Sequence, residues 1–278
     1  MQLIIQPDAG TTPIVKAIKK AKKTIDIVIF RFDRSEIQKA LEVAVDRDVV
    51  VRALIAHTNR GGQKSLRKLE QALLEAGIVV ARTADDLPRY HGKMMIVDGR
   101  TLHIYGFNLT RLDIDKSRSF GIVTRNKKLV QAAAKLFEAD TVRQTYAPGN
   151  QRFVVSPENS RQVLTAFIKG AKEQLLIYDQ QVSDNLMQRV LMDRAKAGVE
   201  IRILGKLEKT IPKCKVRKLA DLRLHVRAII RDGTNAFVGS QSLRKLELDG
   251  RREIGVIIND RTVVRKIRSV FEADWKLS

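Results

Sequence analysis

The sequence predicts an α/β protein made of two similar α/β/α halves in tandem, related by a pseudo-twofold axis. The first observation is a long repeat. LFEAD ends at Asp140 and VFEAD at Asp274, a separation of 134 positions that also links His91 to His225 and Asp98 to Asp232. Gly99 and Gly233, Leu109 and Leu243, Asp115 and Asp249, Arg118 and Arg252, and Gly121 and Gly255 fall in the same register without a gap. The second observation is that strand-length apolar runs alternate with amphipathic stretches, the pattern of layered helices over a largely buried sheet. The third is that the repeat occurs twice in large units, whereas a solenoid needs three or more short ones.

Taken in order, residues 13–23 have helical spacing and a basic face, and Ile25–Phe30 is a continuous apolar strand. Ser35 is placed to cap a helix running to Asp46, with the next strand at Val49–Ile55. His91–Asp98 and Thr101–Tyr105 read as a pair of strands, followed by a closing helix that contains LFEAD. Upstream of the second motif, FIKGAKEQLLIYDQ from Phe167 repeats AIKKAKKTIDIVIF from Ala17, and Arg202 repeats Arg52. Arg52 to His91 is 39 residues but Arg202 to His225 only 23, so the second half is shorter by 16. The difference is expected in the Gly- and Lys-containing loop after His57 and up to Tyr90. Tyr146–Gln151, with Pro148 and Gly149, is the linker, which sets the halves at 1–147 and 152–278.

Lys and Arg total 52 against 31 Asp and Glu, a formal charge of +21. A field of that sign favours anionic partners: nucleic acid, an anionic membrane surface or free phosphate esters. The single cysteine, Cys214, excludes an internal disulfide. No stretch approaches the roughly 18 apolar residues of a membrane span. MQLIIQPDAG does not read as a signal peptide, so a cytoplasmic location, with peripheral membrane contact, is expected.

The residues that carry chemistry lie at the centre of each repeat. In His91-Gly92-Lys93-Met94-Met95-Ile96-Val97-Asp98 the period of two puts His91 and Lys93 on one face of a strand, and Asp98 ends it before Gly99. His225, Arg227 and Asp232 repeat the spacing with Arg in place of Lys. An imidazole one pleat from a cation suits a phosphoryl site, where one group reacts and the other neutralises the non-bridging oxygens. His57 and His103 have no such partner, and His103 reads as a packing residue. The run Lys19-Lys20-Ala21-Lys22-Lys23 could bind phosphates, and reads at least as well as a solvated helix face.

The pattern H-x-K/R-x4-D, twice in one chain and each time followed by a strand and a small-residue turn, resembles the phospholipase D superfamily over nearly the whole sequence. Where that family has a Gly-Ser-x-Asn turn, this chain has Tyr105-Gly106-Phe107-Asn108 and Gly239-Ser240-Gln241-Ser242. Eleven residues later a carboxylate is expected to hold each histidine's Nδ1; Glu253 matches, but Ser119 stands in the first half. The resemblance implies a phosphodiesterase working through a covalent phosphohistidine, without metal or other cofactor. His91, neutral beside Lys93 and Ser119, would attack, and His225, charged by Glu253, would serve as the acid. Lys93, Arg227, Asn108, Ser240 and Ser242 would hold phosphate oxygens, Asp98 and Asp232 would support, and Asp113 or Asp115 would stand in for the missing carboxylate near His91. Phospholipid is the favoured substrate. The alternatives are a metal-independent nuclease and a binding protein that has lost its chemistry through Ser119 and Ser242.

Overall fold

The computed structural model describes residues 1–57 and 63–278, with side chains from 66 onward in the second stretch. The run after His57 in which the extra length was expected to begin lies partly outside the described residues.

The first half runs β1 (Gln2–Gln6), α1 (Thr12–Lys20), β2 (Thr24–Ile29), α2 (Ser35–Val45), β3 (Val50–Ile55), α3 (Gln63–Glu75), β4 (Val79–Arg82), β5 (Met94–Val97), β6 (Thr101–Tyr105), α4 (Arg111–Asp115), β7 (Ser117–Thr124) and α5 (Lys127–Thr141). The second runs β8 (Phe153–Ser156), α6 (Ser160–Lys169), β9 (Gln174–Val182), α7 (Asn185–Lys196), β10 (Glu200–Leu207), β11 (Cys214–Arg217), β12 (Arg223–Leu224), β13 (Arg227–Arg231), β14 (Asn235–Gly239), α8 (Lys245–Asp249), β15 (Glu253–Ile258) and α9 (Arg261–Leu277). The first sheet is ordered β1-β7-β6-β5-β2-β3-β4 and the second β8-β15-β14-β13-β9-β10-β11. Replacing each strand by its repeat partner turns one order into the other, which is the tandem α/β architecture expected from the sequence. Much of the length difference is α3, which has no counterpart between β10 and β11. Ser35 is the first residue of α2 rather than its cap; Arg34 holds that position.

Both faces of each sheet are covered, so the central strands need apolar side chains on both pleats. In β5, Met94 and Ile96 face the core shared by the halves, while Met95 and Val97 face α1 and α2. The shared core contains Phe120, Leu136 and Phe137 from the first half and Phe153, Tyr178, Phe271 and Trp275 from the second. Helices α5 and α9 are thus enclosed between the sheets, and α6 and α7 cover the outer face of the second sheet.

The halves also exchange backbone. Strand β12 leaves its own half and pairs in parallel with β7 of the other, Arg223 opposite Ser117 and Leu224 opposite Arg118. In mirror fashion Tyr90 bridges to Arg252 at the start of β15. Each crossing ends at a motif histidine.

Candidate active site

His91 and His225 were expected inside strands, but β5 and β13 begin only after them, at Met94 and Arg227. The reason is the backbone exchange. The His91 N–H donates to the Arg252 carbonyl (2.8 Å) and the His225 N–H to the Arg118 carbonyl (3.2 Å). The chain at each histidine is therefore held by the opposite half before it enters its own sheet. A Cβ at Gly92 would lie 2.5 Å from Cδ1 and 2.8 Å from Cγ1 of Ile254, so a larger residue here would have to displace that side chain.

Crossing decides which carboxylate meets which imidazole. Glu253 follows Arg252, so its side chain reaches His91: Nδ1 lies 2.8 Å from Oε2 and 3.0 Å from Oε1. The expectation that Glu253 orients His225 is corrected; it orients His91, from the other half. A carboxylate can only accept, so Nδ1 carries the hydrogen and Nε2 keeps its lone pair. Ser119 follows Arg118 on β7 and so belongs to His225. The Ser119 hydroxyl and His225 Nδ1 are both buried without a protein partner among the described residues. Asp113 likewise stands by His225 rather than His91, its Oδ2 3.6 Å from Nε2. It also accepts from the backbone and side-chain N–H of Asn108 (2.8 and 2.6 Å) and from Arg223 (2.7 Å). Asp115 instead pairs with Arg34 at the surface.

Cations crowd the imidazoles. The Lys93 ammonium, 2% exposed, lies 2.9 Å from His91 Nε2 and 3.1 Å from Nδ1, against the ring rather than on one lone-pair axis. Burial pushes Lys93 down to about 7, against the opposing pull of Glu253. Arg227 donates to the His225 carbonyl (2.7 Å) and to Oε1 of Gln180 (2.8 Å). Burial, then Lys93, Arg227, Arg89 and Arg251, hold His91 well below the ordinary histidine range; burial, then Arg227, Lys93, Arg223 and His91, do the same for His225. Lys93 of the first half thus acts on His225, and Arg227 of the second on His91, so the two motifs form one site. Burial raises Glu253. The expected contrast of a neutral His91 with a charged His225 is corrected, since both rings favour the neutral form.

The predicted phosphate ligands divide. Asn108 lies in the site with Oδ1 lacking a protein partner among the described residues. The two serines are engaged within the second half. Ser242 donates to Asp179, and Ser240 accepts from the Ile254 N–H (3.1 Å) and donates to the Ile254 carbonyl (3.4 Å). Neither hydroxyl is directed to a substrate as expected.

The family model described as "Cardiolipin synthase, PLD-like domain" matches residues 14–141 and again 164–275. The chain belongs to this family. Its membership of the phospholipase D superfamily follows. A curated relative, the mitochondrial cardiolipin hydrolase of Danio rerio, is 28% identical over 130 residues, 45% of this chain and 56% of that protein. The chain thus spans little more than half the length of that relative. Among solved structures, polyphosphate kinase from Porphyromonas gingivalis superposes with a TM-score of 0.80 at 19% identity, covering 99% of this chain and 50% of that one. Phosphatidylserine synthase of Haemophilus influenzae Rd KW20 gives 0.74 at 11% identity, covering 99% and 86%. At these identities the likeness is one of fold.

Within this phospholipase D-like frame Asp98 and Asp232 lie apart from the imidazoles. Each takes a positive φ (53° and 51°) at a strand end and accepts from three successive N–H groups: Lys22, Lys23 and Thr24 for Asp98, and Lys172, Glu173 and Gln174 for Asp232. Their place is structural. Four neighbours of the site were not foreseen. Phe30 meets the His91 ring edge to face at 4.7 Å, and Gln180 binds Arg227 while donating to the Leu224 carbonyl (2.7 Å). The other two are Asp179 and Arg223. Phe30 and Gln180 are the last residues of the two upstream repeat strings, so their common position after β2 and within β9 was a signal in the sequence.

Proposed function

We propose that this chain is a phosphodiesterase or phosphatidyltransferase that works through a covalent phosphohistidine on His91 and takes a phospholipid as substrate. The observation that carries the reading is the Glu253 carboxylate on His91 Nδ1. It fixes the ring with Nε2 unprotonated and supports the positive charge that develops as Nε2 attacks phosphorus, as a carboxylate does for any imidazole that reacts through its far nitrogen. Lys93, Arg227 and the Asn108 amide neutralise and orient the non-bridging oxygens. His225 handles the proton of the attacking water or alcohol acceptor. The family description and the name of the curated relative favour lipid, and the charge of +21 suits an anionic bilayer. Among the described residues no helix is long and apolar enough to cross a membrane.

The test offers purified protein anionic liposomes and, in parallel, single- and double-stranded DNA, with and without EDTA. Released head group or transferred phosphatidyl product is expected from lipid, undiminished by chelation, because two cationic side chains serve the phosphate. Vanadate is expected to inhibit. Cleavage confined to DNA, with affinity falling steeply with salt, replaces the lipid reading by a nuclease. Loss of activity in EDTA with recovery on adding a divalent ion overturns the mechanism.

A further inference from the structure

We infer that this site takes a phosphoanhydride, in which one bridging oxygen of the attacked phosphorus leads to a second phosphate, and that His225 acts as the base for the acceptor rather than as the acid for the leaving group. The inference deepens the proposed function and rests on attack by His91.

The two imidazoles occupy matching places, yet only one has a carboxylate behind it. Glu253 stands on His91 Nδ1, whereas the matching side chain for His225 is Ser119. Both the Ser119 hydroxyl and His225 Nδ1 are buried without a protein partner among the described residues. A hydroxyl, alone or through a water, offers no charge to hold an imidazolium. Asp113 does not replace it. Its Oδ2 is 3.6 Å from Nε2, the nitrogen that must carry the transferred proton, and its charge is already shared by Arg223 and Asn108. The other charged groups acting on the ring, Arg227, Lys93 and Arg223, all oppose its protonation. An alkoxide leaving group needs a proton from this ring; a phosphate leaving group does not.

In the first step the Nε2 lone pair of His91 forms the N–P bond while the P–O bond to the second phosphate breaks, its electron pair leaving on that oxygen as a phosphate anion without added proton. Water or an alcohol then attacks phosphorus, its proton passes to neutral His225, and the N–P electrons return to His91.

Three substrates decide it: vesicles holding a nucleoside-diphosphate diester of diacylglycerol, inorganic polyphosphate, and phosphatidylglycerol vesicles as the alkyl diester. The adduct on His91 is trapped by acid-free quenching and mass spectrometry. At least one anhydride is expected to form it faster than the alkyl diester by about 10²–10⁴-fold, the usual worth of a general acid, and whichever anhydride reacts names the source. In His225→Ala the burst of leaving group from the anhydride is expected to persist while its turnover slows. Ser119→Glu is expected to speed the alkyl diester alone. A series of methyl aryl phosphodiesters with the unaltered protein, whose rate is expected to fall steeply as the leaving group becomes more basic, covers failure of that variant to fold. Equal adduct formation from alkyl diester and anhydrides overturns the inference and leaves His91 as nucleophile. No adduct on His91 from any of the three overturns both.

Discussion

Lys93 is a lysine that folding has stripped of water beside an imidazole, and a bound anion would offset that loss. Its amine, pushed down to about 7 from 10.5, carries charge below that pH and loses it above. The unfolded chain therefore binds more protons than the folded one between about 7 and 10.5, and the free protein loses stability as pH falls through that window. The two depressed histidines act in the same direction below 6.5. A bound phosphate or vanadate reverses each shift, because it gives all three groups an opposite charge. Anion binding at pH 8 is thus expected to take up protons, measured as a binding enthalpy that varies with the ionisation enthalpy of the buffer, and the affinity is expected to fall as pH rises above about 7. Binding that releases protons would reject this account of Lys93. Glu253→Gln keeps the shape but removes the charge behind His91. It is expected to lower the rate of adduct formation by on the order of 10³-fold with a smaller effect on vanadate affinity, a split visible in single-turnover kinetics.

At the scale of elements, the strand ends at Asp98 and Asp232 join each sheet to the N–H groups that open β2 and β9. Burial works against ionisation of Asp98, yet the N–H donors of Lys23, Thr24 and Lys22 hold it below the usual carboxylate range. A carboxylate depressed in this way adds stability that is present above the unfolded value near 3.8 and lost as pH falls through the folded one. Asp98→Asn, which tolerates the positive φ, is expected to cost about 1–3 kcal/mol at neutral pH. The gap to the parent protein closes below about pH 3.8, and activity per folded molecule is unchanged. Urea titrations at pH 7 and 3 check both parts. The sequence made these elements legible because the repeat and the period-two apolar runs depend on local spacing: β6 lies where Thr101–Tyr105 read as a strand, and β2 and β3 lie within a residue of expectation. The pairing of Glu253 was not legible. A repeat places Glu253 beside His225 in its own half, and nothing in one half's spacing records that Tyr90–His91 pairs with Arg252 and Arg223–His225 with Ser117 and Arg118. Hydrogen bonding to a different sheet decides the site, and it leaves no periodicity.

At the scale of the molecule, two ion pairs tie the halves together where these exchanges occur, using residues the repeat shares. Arg118 of the first half holds Asp274 of the second through Nε (2.9 Å) and Nη2 (3.0 Å), and Tyr178 donates its hydroxyl to the same carboxylate (2.6 Å). Arg252 of the second half faces Asp140 of the first at 3.0 Å, but also bonds to Glu158 (2.5 Å) and the Ser156 carbonyl (3.0 Å). The pairs match by symmetry and differ in how their carboxylates are satisfied. Burial pushes Asp140 up to about 6 despite Arg252, which marks a carboxylate that the fold only partly compensates, whereas Asp274 has two aligned donors from one guanidinium and a phenol. Removing one partner of a well-satisfied buried pair costs about 3–5 kcal/mol, because the other is left uncompensated. Asp274→Ala leaves Arg118 with the Gln6 carbonyl (3.0 Å) and Asp8 at 3.9 Å, and leaves the Tyr178 hydroxyl without its acceptor. It is expected to fall in that range. Asp140→Ala removes a costly charge while Arg252 keeps Glu158, so it is expected to cost less than about 1.5 kcal/mol after the loss of packing is counted. The chemistry is expected to follow the same asymmetry. Arg118 supplies the carbonyl that receives His225, so, in the proposed route with His225 as base, loosening it in Asp274→Ala is expected to slow breakdown of a His91 adduct more than its formation. Urea denaturation and single-turnover kinetics on the two variants test the pair. Equal losses at Asp140 and Asp274 would mean that the twofold symmetry of the fold extends to its energetics, and the two ion pairs would then have equal rather than unequal roles.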